Sequence, residues 1–389
     1  MEATSRWTVI SVGLAIFSMF FGAGNLMYPI VVGINSGDKT MIGMAGFLIT
    51  SVLLPILGLV AMIFFDGDYK AFFYRLGRIP GGFLIFASMV IIGPLIAIPR
   101  IVTLSHIMMA PFLPAMSPLV FALLFLGITF LCTFRENKIV ALLGNVISPL
   151  LLISLIVIIV KAFTTPGEII ATTESSLALF LTSLREGYKT MDLLGAIFFS
   201  SIVVVLLKKT LGEPKTQKEV HKLAVVGLKA GLIGTSLLGL VYIGLSFLGK
   251  YHGFGLMMLN EGERFREVSL RVLGSYGALV IATAVLMACL STAIALSAVV
   301  AEYLQEEIFR RKISFVPSLI VLLALCLPLS IAGLDEVGRL VGGPILYIGY
   351  PILVALTFLN IAYKLVDFKP VKIPVLATTV LFTVLYFWM

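Results

Sequence analysis

From Trp7 onward the sequence falls into long apolar runs separated by short polar connections. About 20 apolar residues are needed to cross the ~30 Å of bilayer hydrocarbon at 1.5 Å of helical rise per residue. Measured against that length, the runs predict an all-α polytopic membrane protein with spans near residues 7–33, 41–65, 81–112, 117–134, 139–163, 187–207, 223–249, 274–304, 314–333, 340–363 and 371–388. Residues 253–272 carry too many charges to span and read as an amphipathic surface segment. The longest connection, 164–186, shows no apolar period that would build a core, so the chain reads as a single membrane domain.

Composition agrees. The 389 residues are 60% hydrophobic and 12% charged, with a mean hydropathy of +1.11, against about 45–50% apolar and about 25% charged in a soluble protein. The net charge of +8 fits basic loops on the inner side of a membrane better than a polyanion partner, and no nucleic acid is expected. Cys132, Cys289 and Cys326 all lie within apolar runs and suggest neither a disulfide framework nor a zinc site. The N-terminal run lacks a small-residue cleavage site and reads as the first span rather than a signal peptide. With the N-terminus inside, the inner connections hold most of the Lys and Arg, including Lys70, Arg75, Arg78, Arg135, Lys138, Lys208, Lys209, Lys215, Lys218, Lys222 and Arg310–Lys312. That bias predicts a cytoplasmic N-terminus.

The first span carries "MFFGAGNLMYP", residues 19–29, with two glycines, an asparagine and a proline in the middle of a membrane helix. An unwound backbone in lipid strands N–H and C=O groups at several kcal/mol each, and survives only where protein, water or a ligand satisfies them. Gly22 and Gly24 permit unusual dihedrals and close ligand approach, and Pro29 removes the helical bond to the Asn25 carbonyl. A close helix-packing seam is the plainer reading of Gly-x-Gly. A second break in the matching position of a second half would point to a transporter's midplane site. With residues 7–163 as one repeat and 187–363 as an inverted second, followed by an extra helix at 371–388, span six is that counterpart. Its expected weak spot is Gly195 with Ser200 and Ser201, and Asp192 sits in its first turns. Span eight adds Ser291 and Thr292, hard oxygen ligands that would suit a small cation. The plainer reading has such hydroxyls bonding back to their own turn.

"FFGAGNLMYP", "GPLIAIPRIVTLS", "GYKTMDLLGAIFF" and "ACLSTAIAL", in this order, resemble the bacterial branched-chain amino acid:cation symporters (BrnQ/LIVCS) over roughly residues 7–365. That family belongs to the amino acid–polyamine–organocation superfamily. The resemblance implies the five-plus-five inverted-repeat fold of the bacterial leucine transporter, with helices one and six discontinuous. Family members usually have twelve spans where eleven are visible here, and Ser200 stands where the family's second break carries glycine.

The resemblance implies a substrate site at Gly22, Ala23, Gly24 and Asn25. The Ala23 and Gly24 N–H groups would meet a carboxylate at the positive end of a half-helix. It also implies a sodium site from the Ser18 and Phe21 carbonyls with the Ser291 and Thr292 hydroxyls, and a possible first cation site at Asn25. Ile98, Ile101, Phe198 and Phe199 are the candidate walls for a branched side chain. Arg100, deep inside a span, would form an outer gating pair with Asp192, the plainer reading being a structural ion pair or snorkelling toward the outer interface. Lys229 is expected to snorkel and His106 to lie near the interface.

The expected activity is import of Leu, Ile or Val by symport with Na+, or else H+, in a bacterial inner membrane. The coupling ion is the only cofactor expected. The partners are the amino acid, the cation and lipid, with no partner protein called for. A permease of the same fold for Met or Ser/Thr is the alternative. A receptor would not need broken helices. An intramembrane enzyme would need zinc or nucleophile motifs such as H-E-x-x-H or G-x-S-x-G, which do not occur in the sequence.

Overall fold

The computed structural model describes residues 6–134, 148–165, 167–169, 171–212 and 216–388. The first part of the fifth predicted span (139–147) and the basic residues Arg135, Lys138 and Lys215 lie outside the described residues. Within them every regular element is helical.

The first span is two half-helices, α1 (Arg6–Phe20) and α2 (Ala23–Ser36), with Phe21 and Gly22 between them. Gly22 is extended (φ −111°, ψ −170°), which stops α1 and starts α2 at a new angle. α3 (Thr40–Leu48) and α4 (Leu54–Phe64) make the second span through a wide turn at Ile49–Leu53. A short surface helix, α5 (Tyr69–Tyr74), leads to the third span. That span is α6 (Arg78–Val90) and α7 (Ala97–Met109), bent where Gly93 leaves helical geometry just before Pro94. α8 (Pro118–Thr133) and α9 (Ser148–Thr164) follow.

The sixth span corrects the sequence reading. Residues 176–186, expected to be part of a polar connection, instead form most of helix α10 (Ser176–Tyr188), capped by Ser175 Oγ accepting from Ala178 N–H at 3.2 Å. At 13 residues it is too short for the about 20-residue length by which spans are recognised. The break lies at Lys189–Met191, and α11 (Asp192–Leu211) then runs without interruption past Gly195, Ser200 and Ser201. Ser200 Oγ donates to Ala196 O and Ser201 Oγ to Phe198 O, the back-bonding of ordinary helical serines. Met191 holds a left-handed conformation (φ 64°), uncommon for a non-glycine residue and frequent at functional sites.

α12 (Gln217–His252) is the seventh span. α13 (Glu261–Tyr303) kinks at Gly274, whose φ of 67° separates a surface helix from the eighth span at the boundary read from the sequence. α14 (Phe315–Ala332) is the ninth span. The tenth is α15 (Leu334–Leu340) and α16 (Tyr350–Val366), joined through a second Gly-Pro bend at Gly343. α17 (Lys372–Trp388) is the eleventh.

Packing repeats in the two halves. Both pieces of span one pack on α12 of span seven, and both pieces of span six pack on α3 and α4 of span two. The third span packs against the eighth, and the fourth against the ninth. Small residues allow the two equivalent seams. A methyl on Gly33 would overlap Ser246 O across the one–seven seam, and a methyl on Gly46 would overlap Phe180 O across the two–six seam.

Candidate functional site

The two helix breaks meet. At the first, the Gly22 N–H donates to Asn25 Oδ1 (3.0 Å), so the asparagine caps the break from within α2. Ala23 and Gly24 open that half-helix, where no preceding helical turn supplies acceptors for their N–H groups. Asn25 Nδ2 reaches across to Asp192 Oδ1 and Oδ2, both at 2.8 Å, at the first residue of α11. Tyr242 of span seven donates its hydroxyl to Asp192 Oδ2 at 2.7 Å and also contacts Asn25 Nδ2. Asn25, Asp192 and Tyr242 are all buried. A buried carboxylate is tolerated only when well hydrogen-bonded, and here both broken helices and span seven supply its surroundings.

A small cavity opens beside this network, lined among others by Gly22, Ala23, Asn25, Arg100, Ile101 and Thr190. Asp192, Phe199 and Thr292 also line it, and Ile92, Ala97 and Leu296 extend its apolar wall. The combination of a mostly apolar wall and a few convergent polar groups is that of a small-molecule site.

The structure sorts the residues singled out from sequence. Gly22, Ala23, Asn25, Ile101, Phe199, Arg100, Asp192 and Thr292 all line the cavity. Gly24 stands directly behind it, and a Cβ built there would lie 3.1 Å from Arg100 Nη2 and 3.2 Å from Thr190 Cα. Ile98 is buried away from the lining. Phe198 turns to the other side of α11 and packs on Tyr69 and Phe73, with ring centroids 5.3 and 6.0 Å apart. Arg100 donates to Lys189 O (2.7 Å) and Thr190 O (3.4 Å), the carbonyls that close the outgoing end of α10. Its guanidinium therefore meets main chain of the second break, while the Asp192 carboxylate meets Asn25 and Tyr242.

At the candidate cation site Thr292 Oγ1 lies 3.4 Å from Phe21 O and donates to Ala288 O at 3.2 Å. Ser291 is buried beside it, and Ser18 lies in the last turn of α1. Lys229 is exposed on α12, and His106 Nε2 pairs with Met116 O at 3.2 Å, near the end of span three.

Tyr242, Thr190 and Met191 were missed by sequence reasoning. Tyr242 is the one aromatic hydroxyl within "LLGLVYIGLSF", a faint signal until the fold sets it against both distant breaks. Thr190 and Met191 were hidden by starting span six too late.

The family model described as branched-chain amino acid transport protein matches residues 5–388. The branched-chain amino acid permease BraB of Bacillus subtilis is 32% identical over 387 residues, covering 97% of this chain and 85% of that protein. Among solved structures, a manganese transporter of Eremococcus coleocola is similar with a TM-score of 0.63 at 16% identity, over 99% of this chain and 87% of its own. The nucleobase-cation-symport-1 family transporter MHP1, in a closed conformation, matches with a TM-score of 0.58 at 16% identity, over 98% and 92%. At such identities the likeness is one of fold, and the fold is the leucine-transporter-like one expected from the sequence. The protein is a multi-pass membrane transporter rather than an enzyme, and the chain belongs to the branched-chain amino acid transport protein family.

Proposed function

We propose that this protein imports Leu, Ile and Val across a bacterial inner membrane by symport with Na+, its N-terminus on the cytoplasmic side. The observation that carries this reading is the cavity at the meeting of the two helix breaks. One side offers the N-terminal end of α2, where backbone N–H groups and the helix dipole favour a carboxylate. The other offers Ile92, Ile101, Phe199 and Leu296, an apolar wall for a branched side chain. Such a wall separates Leu from Val by only ~1–3 kcal/mol per methylene, so the three substrates share the carrier. The sodium ion binds between the Ser18 and Phe21 carbonyls and the Ser291 and Thr292 hydroxyls, a set supported by the approach of Thr292 Oγ1 to Phe21 O at 3.4 Å. Its seat beside the first break couples ion occupancy to the orientation of α1 against α2, which is how a cation gradient drives alternating access.

The test is counterflow of labelled leucine in proteoliposomes, with sodium present or replaced by choline. Sodium-dependent accumulation is expected. No leucine flux in either medium would sink the substrate assignment, and uptake that follows a pH gradient without sodium would assign the coupling to the proton.

A further inference from the structure

Two buried charges of opposite sign line the cavity, and among the described residues neither takes part in an ion pair. Arg100 is 5% exposed and Asp192 4% exposed. The guanidinium spends Nη1 and Nη2 on two main-chain carbonyls, and its Nε is buried with no hydrogen-bond partner. The carboxylate's side-chain partners, Asn25 and Tyr242 among them, are neutral. Buried charges without a direct ion-pair partner are expensive at membrane depth and mark candidate sites for a charged ligand.

We infer that Arg100 and Asp192 are the two poles of a zwitterion clamp, the guanidinium taking the carboxylate of the amino acid and the Asp192 carboxylate its ammonium. This rests on the amino acid reading of the cavity given above. Position supports each pole. The Cβ position of Gly24 lies 3.1 Å from Arg100 Nη2, so the guanidinium stands at the first turn of α2, beside the N–H groups that favour a carboxylate. Thr190, whose carbonyl Arg100 holds at 3.4 Å, lies between the outgoing end of α10 and Asp192. That helix end carries the negative pole of the dipole, so Thr190 O and Asp192 together suit an ammonium.

Binding is then an exchange of partners. The guanidinium of Arg100 covers the carbonyls of the second break, the place the ammonium would take. The arriving carboxylate draws Arg100 toward α2, and the ammonium takes over Thr190 O and Asp192. The clamp makes the site selective for molecules that carry both charges at the spacing of an α-amino acid. Analogues with one charge leave the other pole buried and unmatched.

The test uses three ligands of one shape in competition with labelled leucine: leucine, 4-methylpentanoate without the ammonium, and 3-methylbutylamine without the carboxylate. Arg100→Gln is expected to weaken leucine and 4-methylpentanoate about tenfold or more, the scale of a lost charged hydrogen bond, and to leave 3-methylbutylamine unweakened. Asp192→Asn is expected to weaken leucine and 3-methylbutylamine to a similar degree and to spare 4-methylpentanoate. Arg100→Lys, which keeps the charge, should retain the preference for carboxylate-bearing ligands and serves where Arg100→Gln does not fold. Equal losses for all three ligands, or none, would overturn the clamp. A wild-type protein that ignores leucine but binds another amino acid would remove the substrate assignment alone, and the same variants are then scored with that amino acid and its two one-charge analogues. A wild-type protein that binds no zwitterion would remove both.

Discussion

Asn25 and Asp192 are 167 positions apart in sequence, yet the Asn25 amide nitrogen sits 2.8 Å from both oxygens of the Asp192 carboxylate. This contact ties the first residues of one half-helix to the first residue of another, so the two breaks form one unit. Any movement of α2 against α11 must stretch or carry this bond.

Tyr242 completes that unit, and its loss should register as instability before anything else. Tyr242→Phe removes the 2.7 Å donor to Asp192 Oδ2, leaving the buried carboxylate with one fewer donor at a cost of about 1–3 kcal/mol. A lowered melting temperature of the purified protein is the expected result. An unchanged melting temperature would mean that the carboxylate finds another donor.

The two glycines of the first break should behave differently. A methyl on Gly22 meets nothing nearer than 3.6 Å, whereas one on Gly24 lies 3.1 Å from Arg100 Nη2 and 3.2 Å from Thr190 Cα. Gly22→Ala is expected to keep leucine exchange within about twofold of wild type, and Gly24→Ala to lower it about tenfold, as overpacking of 1–3 kcal/mol implies. Gly24→Leu should abolish exchange in protein that still folds. Equal tolerance at both positions would return the stretch to a simple packing seam.

Thr292 is predicted to act through its hydroxyl. Thr292→Ala should raise the sodium concentration for half-maximal uptake several-fold, while Thr292→Ser stays near wild type. Sodium titration of initial uptake rates checks this, and an unshifted curve for Thr292→Ala would remove the residue from the ion site.

At the face read as cytoplasmic, Lys70 on α5 pairs with Glu307 at the end of span eight. Both side chains are about one-third exposed, so the pair is worth ~1 kcal/mol or less after solvent screening. Lys70→Glu and Glu307→Lys should each change the leucine exchange rate a few-fold, and the double swap should restore it. The hydrogen bond to Glu307 holds the Lys70 ammonium above its ordinary value. A folded-state value raised in this way leaves the contact intact through neutral pH and weakens it only as pH rises through that raised value. A swap pair that is no better than the single variants would show that the contact does not bear on exchange.

Much of this was legible from sequence because lipid leaves few choices. Apolar runs of spanning length must be helices, and Gly22, Gly24 and Pro29 could disturb the first only where something else satisfied its backbone. The boundary before span eight was equally plain, since "GERFREVSLRV" is too charged for hydrocarbon, and the structure puts a kink there at Gly274. The second break was misplaced for a physical reason. α10 is only 13 residues long and carries Arg185 and Glu186 in its last turn, so hydropathy merged it with a loop and directed attention to Gly195 and Ser200. Its stability comes from packing on span two, where Gly46 admits the Phe180 carbonyl, and no local pattern records that.

The sequence by itself determined the membrane, the helices and the first break, because burial in hydrocarbon acts on each segment separately. Only the tertiary structure decided which charges share a cavity. Asp192 pairs with Asn25 and Tyr242, Arg100 reaches the carbonyls of Lys189 and Thr190, and Phe198 faces away while Phe199 faces in. Those choices follow from how spans one, three, six and seven cross, and hydrogen bonds between residues this far apart in sequence exist only once the helices have packed.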